Sequence, residues 1–129
     1  MEKVRLGMIG IGSMGGQVAG YIVNDGHCPN IVLAAVCDNN PDRLAWAEKT
    51  YAGHGIALFA DATEMMQSGL VDALYIATPH YDHPALAMQA FGYGLHVMIE
   101  KPAGVYTKQV RQMNEAAEKA GVKFGIMFQ

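Results

Sequence analysis

The feature that most constrains this chain is a glycine turn set between an apolar run and a helical pattern. Val4–Ile9 reads as a strand ending at Gly10, and Gly10-Ile11-Gly12-Ser13-Met14-Gly15 follows it directly. From near Ser13 the apolar residues Met14, Val18, Tyr21 and Ile22 recur at helical spacing. Gly-x-Gly-x-x-Gly alone is a weak signal in a chain with 15 glycines among 129 residues. Between a strand and a helix, at the head of a strand–helix–strand unit, it becomes a specific one. Gly10 then allows the tight turn out of the strand. Gly12 has no Cβ to keep a pyrophosphate off the backbone, and Gly15 lets the helix lie close to the sheet. The helix start offers unpaired N–H groups and a partial positive charge to phosphate. A phosphate loop of the other common kind is excluded, because no Gly-Lys-Ser/Thr follows.

The rest of the chain keeps alternating. Strands are predicted over Ile31–Val36, Ile56–Phe59, Ala73–Ala77, Leu95–Ile99 and Val122–Met127. Between them, a helix begins at Pro41 with Asn40 as N-cap and carries Leu44, Ala47 and Tyr51 on one face. A short helix follows Asp61, where Asp61 and Glu64 stand at capping-box spacing. Another presents Leu86, Ala87, Ala90 and Phe91 on one side, and a last one runs from about Thr107 to a C-terminal glycine, Gly121. Six strands and five helices in this order imply right-handed crossovers and an α/β fold, a doubly wound, six-stranded parallel Rossmann sheet in a single domain spanning residues 1–129.

Composition excludes several classes. With 51% hydrophobic and 16% charged residues the chain can bury a core. A net charge of −3 gives no general attraction to nucleic acid or to an anionic membrane. No apolar run approaches the roughly 18 residues of a membrane span. Met1–Leu6 does not open a secretory signal, so a cytoplasmic location is expected. Cys28 and Cys37 match no zinc or redox spacing and read as free thiols in a reducing compartment.

Three strand ends carry the candidate chemistry, because ligands of an open parallel sheet sit beyond the carboxyl ends of its strands. Asp38, about 20 residues past the glycine turn, stands where a carboxylate accepts hydrogen bonds from the adenosine ribose. It would repel a 2′-phosphate, and Asn39 and Asn40 follow it rather than an arginine. The cofactor expected is therefore NAD, with NADP kept open by Arg43 one helical turn away. The fourth strand ends in Thr78-Pro79-His80-Tyr81-Asp82-His83-Pro84. His80 and His83 lack further ligands nearby, so no metal is expected. His27 and His54 read as surface residues, and His96 as a local packing or hydrogen-bonding residue at the start of the fifth strand. That strand ends in Glu100-Lys101-Pro102. Pro102 restricts the backbone of Lys101, which could meet a substrate hydroxyl or carbonyl oxygen. The ordinary lysine pKa, about 10.4, is too high for an efficient base at neutral pH unless desolvation and a cationic nicotinamide lower it.

Taken together, Gly10–Gly15, Asp38, Thr-Pro-x-x-x-His at Thr78–His83 and Gly-x-His-Val-x-x-Glu-Lys-Pro from Gly94 to Pro102 resemble the glucose–fructose oxidoreductase, inositol dehydrogenase and MocA-like family along the whole chain. The resemblance implies an N-terminal Rossmann domain normally followed by an α/β domain with an open sheet, which brings an acid/base, most of the substrate pocket and the oligomer interface. It also implies oxidation or reduction of sugars, cyclitols and related hydroxyl compounds with NAD or NADP. Lys101 would be the catalytic lysine that contacts substrate and assists proton transfer. Thr78, Pro79, His80 and His83 would line the ribose and nicotinamide side, His80 standing where many relatives have Asn. The expected partners are a dinucleotide and, with a second domain, a small hydroxylated substrate; that second domain is expected to lie outside this chain. By itself the chain is then expected to bind cofactor without turnover, and to be open to self-association through surface the second domain would cover. A second reading is a dinucleotide-binding sensor without catalysis; Lys101 favours the enzyme.

Overall fold

The computed structural model describes residues 4–11, 30–51, 53, 55–77, 83–100 and 107–127. Its elements are β1 (Val4–Ile9), β2 (Ile31–Cys37), α1 (Pro41–Thr50), β3 (Ala57–Phe59), α2 (Ala62–Gln67), β4 (Ala73–Ile76), α3 (His83–Gly92), β5 (His96–Glu100), α4 (Thr107–Ala120) and β6 (Phe124–Met127). The helix expected from Ser13 lies outside the described residues. The strands form one sheet in the order β3-β2-β1-β4-β5-β6, and every neighbouring pair is parallel. The expected Rossmann-type α/β architecture is thus the one found.

Local chemistry sets the element ends. Asn40 caps α1, its side-chain oxygen accepting from the Asp42 N–H at 2.9 Å. Asp61 caps α2, accepting from the Glu64 N–H at 3.1 Å. Two helices end in Schellman motifs. Past α3, Gly94 takes φ +75° while the Leu95 N–H donates to the Ala90 carbonyl and the Gly94 N–H to that of Phe91. Past α4, Gly121 takes φ +73°, with the Val122 N–H donating to the Ala117 carbonyl and the Gly121 N–H to that of Glu118. These motifs explain why two expected strands start late. Leu95 and Val122 are committed to ending a helix, so β5 begins at His96, and β6 only at Phe124. β5 also takes in Glu100, β2 takes in Cys37, β3 starts at Ala57, and β4 stops at Ile76.

Side chains alternate across the sheet into two cores. Ile9, Ala35, Leu74, Ile76, Val97 and Ile99 pack with Met65 of α2, Ala87 and Phe91 of α3, and Met113 and Ala117 of α4. Leu6, Met8, Leu33, Val36 and Tyr75 pack on the other face with Ala47 and Tyr51 at α1. At the amino edge, Asp72 binds Arg5 at several points. Its carboxylate accepts from the Arg5 backbone N–H at 3.0 Å, from Nε at 3.2 Å and from Nη2 at 2.9 Å, while the Asp72 N–H donates to the Arg5 carbonyl at 2.7 Å. These bonds, led by the Arg5 side chain, hold the Asp72 carboxyl below its ordinary value of 3.8. A lowered folded-state value means stability that is present above the unfolded value and lost as the pH falls through the folded one. Both side chains are nearly half exposed, so the contribution is modest. Asp72→Asn is expected to cost about 0.5–1 kcal/mol at pH 7. The gap to the wild type should close on acidification below about pH 4, as urea unfolding at several pH values would show.

Candidate dinucleotide site at the carboxyl edge of the sheet

The strand order reverses beside β1. From there the chain steps outward through β2 and β3 on one side and through β4, β5 and β6 on the other. Ligands of open α/β sheets bind in the crevice outside the carboxyl ends of the strands at such a switch point. The register aligns those ends: Ile9 stands opposite both Cys37 and Ile76, and Ile76 opposite Ile99. Gly10, Asp38 and Ala77 therefore leave the sheet side by side. Hydrogen bonds continue the ladder one residue further, from the Gly10 N–H to the Cys37 carbonyl at 2.8 Å, from the Ala77 N–H to the Ile9 carbonyl at 2.8 Å, and from the Asp38 N–H to the Phe59 carbonyl at 3.1 Å.

Gly10 begins the glycine turn at φ +87°, a conformation that side chains rarely adopt, as its position in the motif requires. Ile11 then buries its side chain almost completely, next to Met8, Leu33 and Val36. Asp38 is half-buried, and both its oxygens are engaged. Oδ2 accepts from the Ile11 N–H at 3.1 Å, and Oδ1 accepts from the Asn40 N–H at 2.9 Å. A carboxylate has about four lone-pair directions, so each oxygen keeps capacity for a further donor. Behind it lies the buried thiol of Cys37. Burial above all, with Asp38, Asp61 and Glu64 adding their charge, pushes it up to about 12. At neutral pH it is a protonated, inert packing group.

Of the other candidate residues, Glu100 is the last residue of β5, in register with Met127 of β6, and His83 is the first of α3. Gly12, Ser13, Met14, Gly15, Thr78, Pro79, His80, Lys101 and Pro102 lie outside the described residues. Among the described residues no three His, Cys, Asp or Glu side chains come together to hold a metal. None of the helices there is long and apolar enough to cross a membrane. His96 opens β5 and hydrogen-bonds, as expected, but not locally: its Nδ1 accepts from the Lys123 N–H at 2.9 Å, 27 positions along the chain. Sequence reasoning missed the engagement of Asp38 with the backbone. The contact to Asn40 is an Asx turn that Asp-x-Asn could have signalled. The contact to Ile11 spans 27 positions and has no local signature.

A sequence model described as the oxidoreductase family with an NAD-binding Rossmann fold matches residues 4–128. The chain belongs to this Gfo/Idh/MocA family. Among its relatives, the rhizopine catabolism protein MocA of Rhizobium meliloti is 32% identical over 126 residues, covering 98% of this chain and 38% of that protein. The D-glucoside 3-dehydrogenase of Escherichia coli is 32% identical over 126 residues, covering 93% of this chain and 33% of that protein. The solved WlbA dehydrogenase of Bordetella pertussis, in complex with NADH and UDP-GlcNAcA, superposes with a TM-score of 0.86 at 32% identity, over 98% of this chain and 37% of its own. This Gfo/Idh/MocA chain thus spans a little over a third of the length of such relatives.

Proposed function

We propose that this chain holds NAD(H) at the carboxyl edge of its sheet, as the cofactor side of a dehydrogenase acting on a hydroxyl group of a sugar, cyclitol or related compound. The observation that carries the reading is the Asp38 carboxylate, fixed beside the turn at Gly10 with capacity left on both oxygens. The residues present fit such a cofactor. Gly10 and Ile11, whose N–H groups are taken by the Cys37 carbonyl and the Asp38 carboxylate, would shape the turn, and Gly12, Ser13, Met14 and Gly15 would receive the pyrophosphate on backbone N–H groups. Asp38 would accept from the adenosine ribose hydroxyls. Thr78, Pro79, His80, His83, Glu100, Lys101 and Pro102 would border the cofactor on its ribose and nicotinamide side, with Lys101 also facing the substrate. When bound, the cofactor supplies a hydride acceptor or donor. Lys101 would orient the reacting oxygen and stabilise negative charge developing on it. Relatives named for their reactions, the D-glucoside 3-dehydrogenase and the scyllo-inositol 2-dehydrogenase of Bacillus subtilis, support the substrate class. The free thiol of Cys37 suits a reducing, cytoplasmic setting.

NAD is favoured over NADP because Asp38 would meet a 2′-phosphate with like charge, and Arg43, though exposed, lies in α1 beyond Asn39 and Asn40. The Bacillus relative is named for NADP(+), and titration with both cofactors distinguishes the two. Trp46, the only tryptophan, sits on α1 against Tyr51 and gives an intrinsic signal for titration. NADH is expected to bind at least about tenfold more tightly than NADPH, the scale of a single favourable or opposed charge interaction. Tighter NADPH binding would reverse the assignment. The chain by itself is expected to bind without oxidising polyols or sugars, the rest of the substrate pocket being supplied by a further domain; appreciable turnover would refute that division of labour.

A further inference from the structure

Asp38 has a position that ribose binding alone does not require. Its carboxylate joins the start of the glycine turn, at Ile11 after β1, to the entry to α1, at Asn40 after β2. We propose that Asp38 is a positioning residue that latches the glycine turn through the Ile11 N–H, so that the ribose and pyrophosphate subsites form one coupled unit. The proposal rests on the reading of Asp38 as the ribose acceptor and extends it.

The geometry is specific. Two successive residues of the β2 end hold two successive residues of the turn: the Cys37 carbonyl takes the Gly10 N–H at 2.8 Å, and the Asp38 carboxylate takes the Ile11 N–H at 3.1 Å. Ile11 is anchored from both sides, its side chain 1% exposed in the core and its N–H on a charged acceptor. Gly10 leaves the sheet with a left-handed φ, and as a glycine without a Cβ it has other backbone conformations open to it. A charged hydrogen bond one residue later selects one of them. The second oxygen, bound to the Asn40 N–H, prevents the carboxylate from swinging away. A donor arriving from a ribose hydroxyl would therefore meet a group already oriented, and removing the carboxylate would disturb the phosphate turn as well as the ribose contact.

Two ligands separate the effects. The first is NADH; the second is the NADH analogue carrying 2′,3′-dideoxyadenosine, which reaches the turn but offers Asp38 no hydroxyl. Each is titrated against the wild type, Asp38→Ala and Asp38→Asn, at a temperature where circular dichroism shows all three folded. The wild type is expected to bind the analogue roughly tenfold more weakly than NADH, the worth of a charged hydrogen bond. Asp38→Ala is expected to weaken the analogue by a further factor of about five to ten, because the turn has lost its latch. Asp38→Asn keeps one acceptor oxygen and should fall between. If Asp38→Ala binds the analogue as tightly as the wild type does, the latch is overturned while the ribose reading stands. If the wild type binds both ligands equally, the ribose reading fails, and the latch then stands or falls on whether Asp38→Ala weakens both. A cofactor-free measurement tests the same latch: the Ile11 amide should exchange faster in Asp38→Ala, which leaves it no side-chain acceptor, and an unchanged exchange rate contradicts it.

Discussion

Lys101→Met is expected to lower turnover by roughly 100- to 1,000-fold, while the dissociation constant for NADH stays within about twofold of the wild type. The assay uses this chain joined to the further domain proposed above to complete the substrate pocket. Lys101 follows Glu100, the residue that ends β5 at the same edge as Gly10 and Asp38. An ammonium group there would stabilise negative charge on the reacting oxygen, an effect felt more in the transition state than in the bound ground state. Its loss should therefore appear in kcat rather than in cofactor affinity. Methionine keeps most of the length and the apolar stem of lysine and removes the charge. A retained kcat would show that Lys101 does not take part in the reaction. An equal loss of NADH affinity would show that it serves the cofactor instead.

Gly7→Val is expected to destabilise the chain by about 3 kcal/mol or more, a large share of the roughly 5–15 kcal/mol that holds a domain folded. Gly7 lies inside β1, a position where glycine is entropically costly, by roughly 0.5–1 kcal/mol relative to alanine. Its presence is explained by space. A Cβ there would stand 3.0 Å from Leu74 Cδ2, 3.0 Å from Val71 Cγ1 and 3.1 Å from Met65 Cε. Those are ends of side chains, so Gly7→Ala asks for small shifts and should cost about 1–2 kcal/mol. Valine adds two methyl groups beyond that point, into a core where Leu74 and Met65 are fully buried. Urea unfolding of the two variants tests this through the midpoint. An unchanged midpoint for Gly7→Val would mean that Leu74, Val71 and Met65 do not press on β1 as closely as these distances require.

The fold was legible in the sequence because its signals are local. Apolar runs, the Pro41 and Asn40 helix start, the Asp61–Glu64 pair and Gly121 each act within a few residues, and each stands where its chemistry placed it. The errors at strand ends have one cause at β5 and β6. A Schellman motif commits the first apolar residue after the helix to capping, so Leu95 and Val122 look like strand residues and are not. Of the candidate site, the placement of Gly10 and Asp38 side by side at the carboxyl edge was legible, because a motif and a topological rule point to the same edge. How Asp38 is held was not legible. The Ile11 contact depends on β1 and β2 being paired in one register, a property of the sheet that no short segment contains. The buried state of Cys37, which makes its thiol inert, has the same origin: its strand neighbours Ala35 and Val36 are buried as well, near the centre of the sheet.

The most direct test of a dinucleotide at this edge is to follow the backbone amide resonances of the chain as NADH is added. The amides of Gly10, Ile11, Asp38, Asn40 and Ala77 are expected to shift together and saturate. Those at the opposite edge, including Val4, Asp72 and His96, should stay in place. Absence of binding, or shifts gathered at the amino edge or along α3 and α4, would contradict a cofactor site at the carboxyl edge.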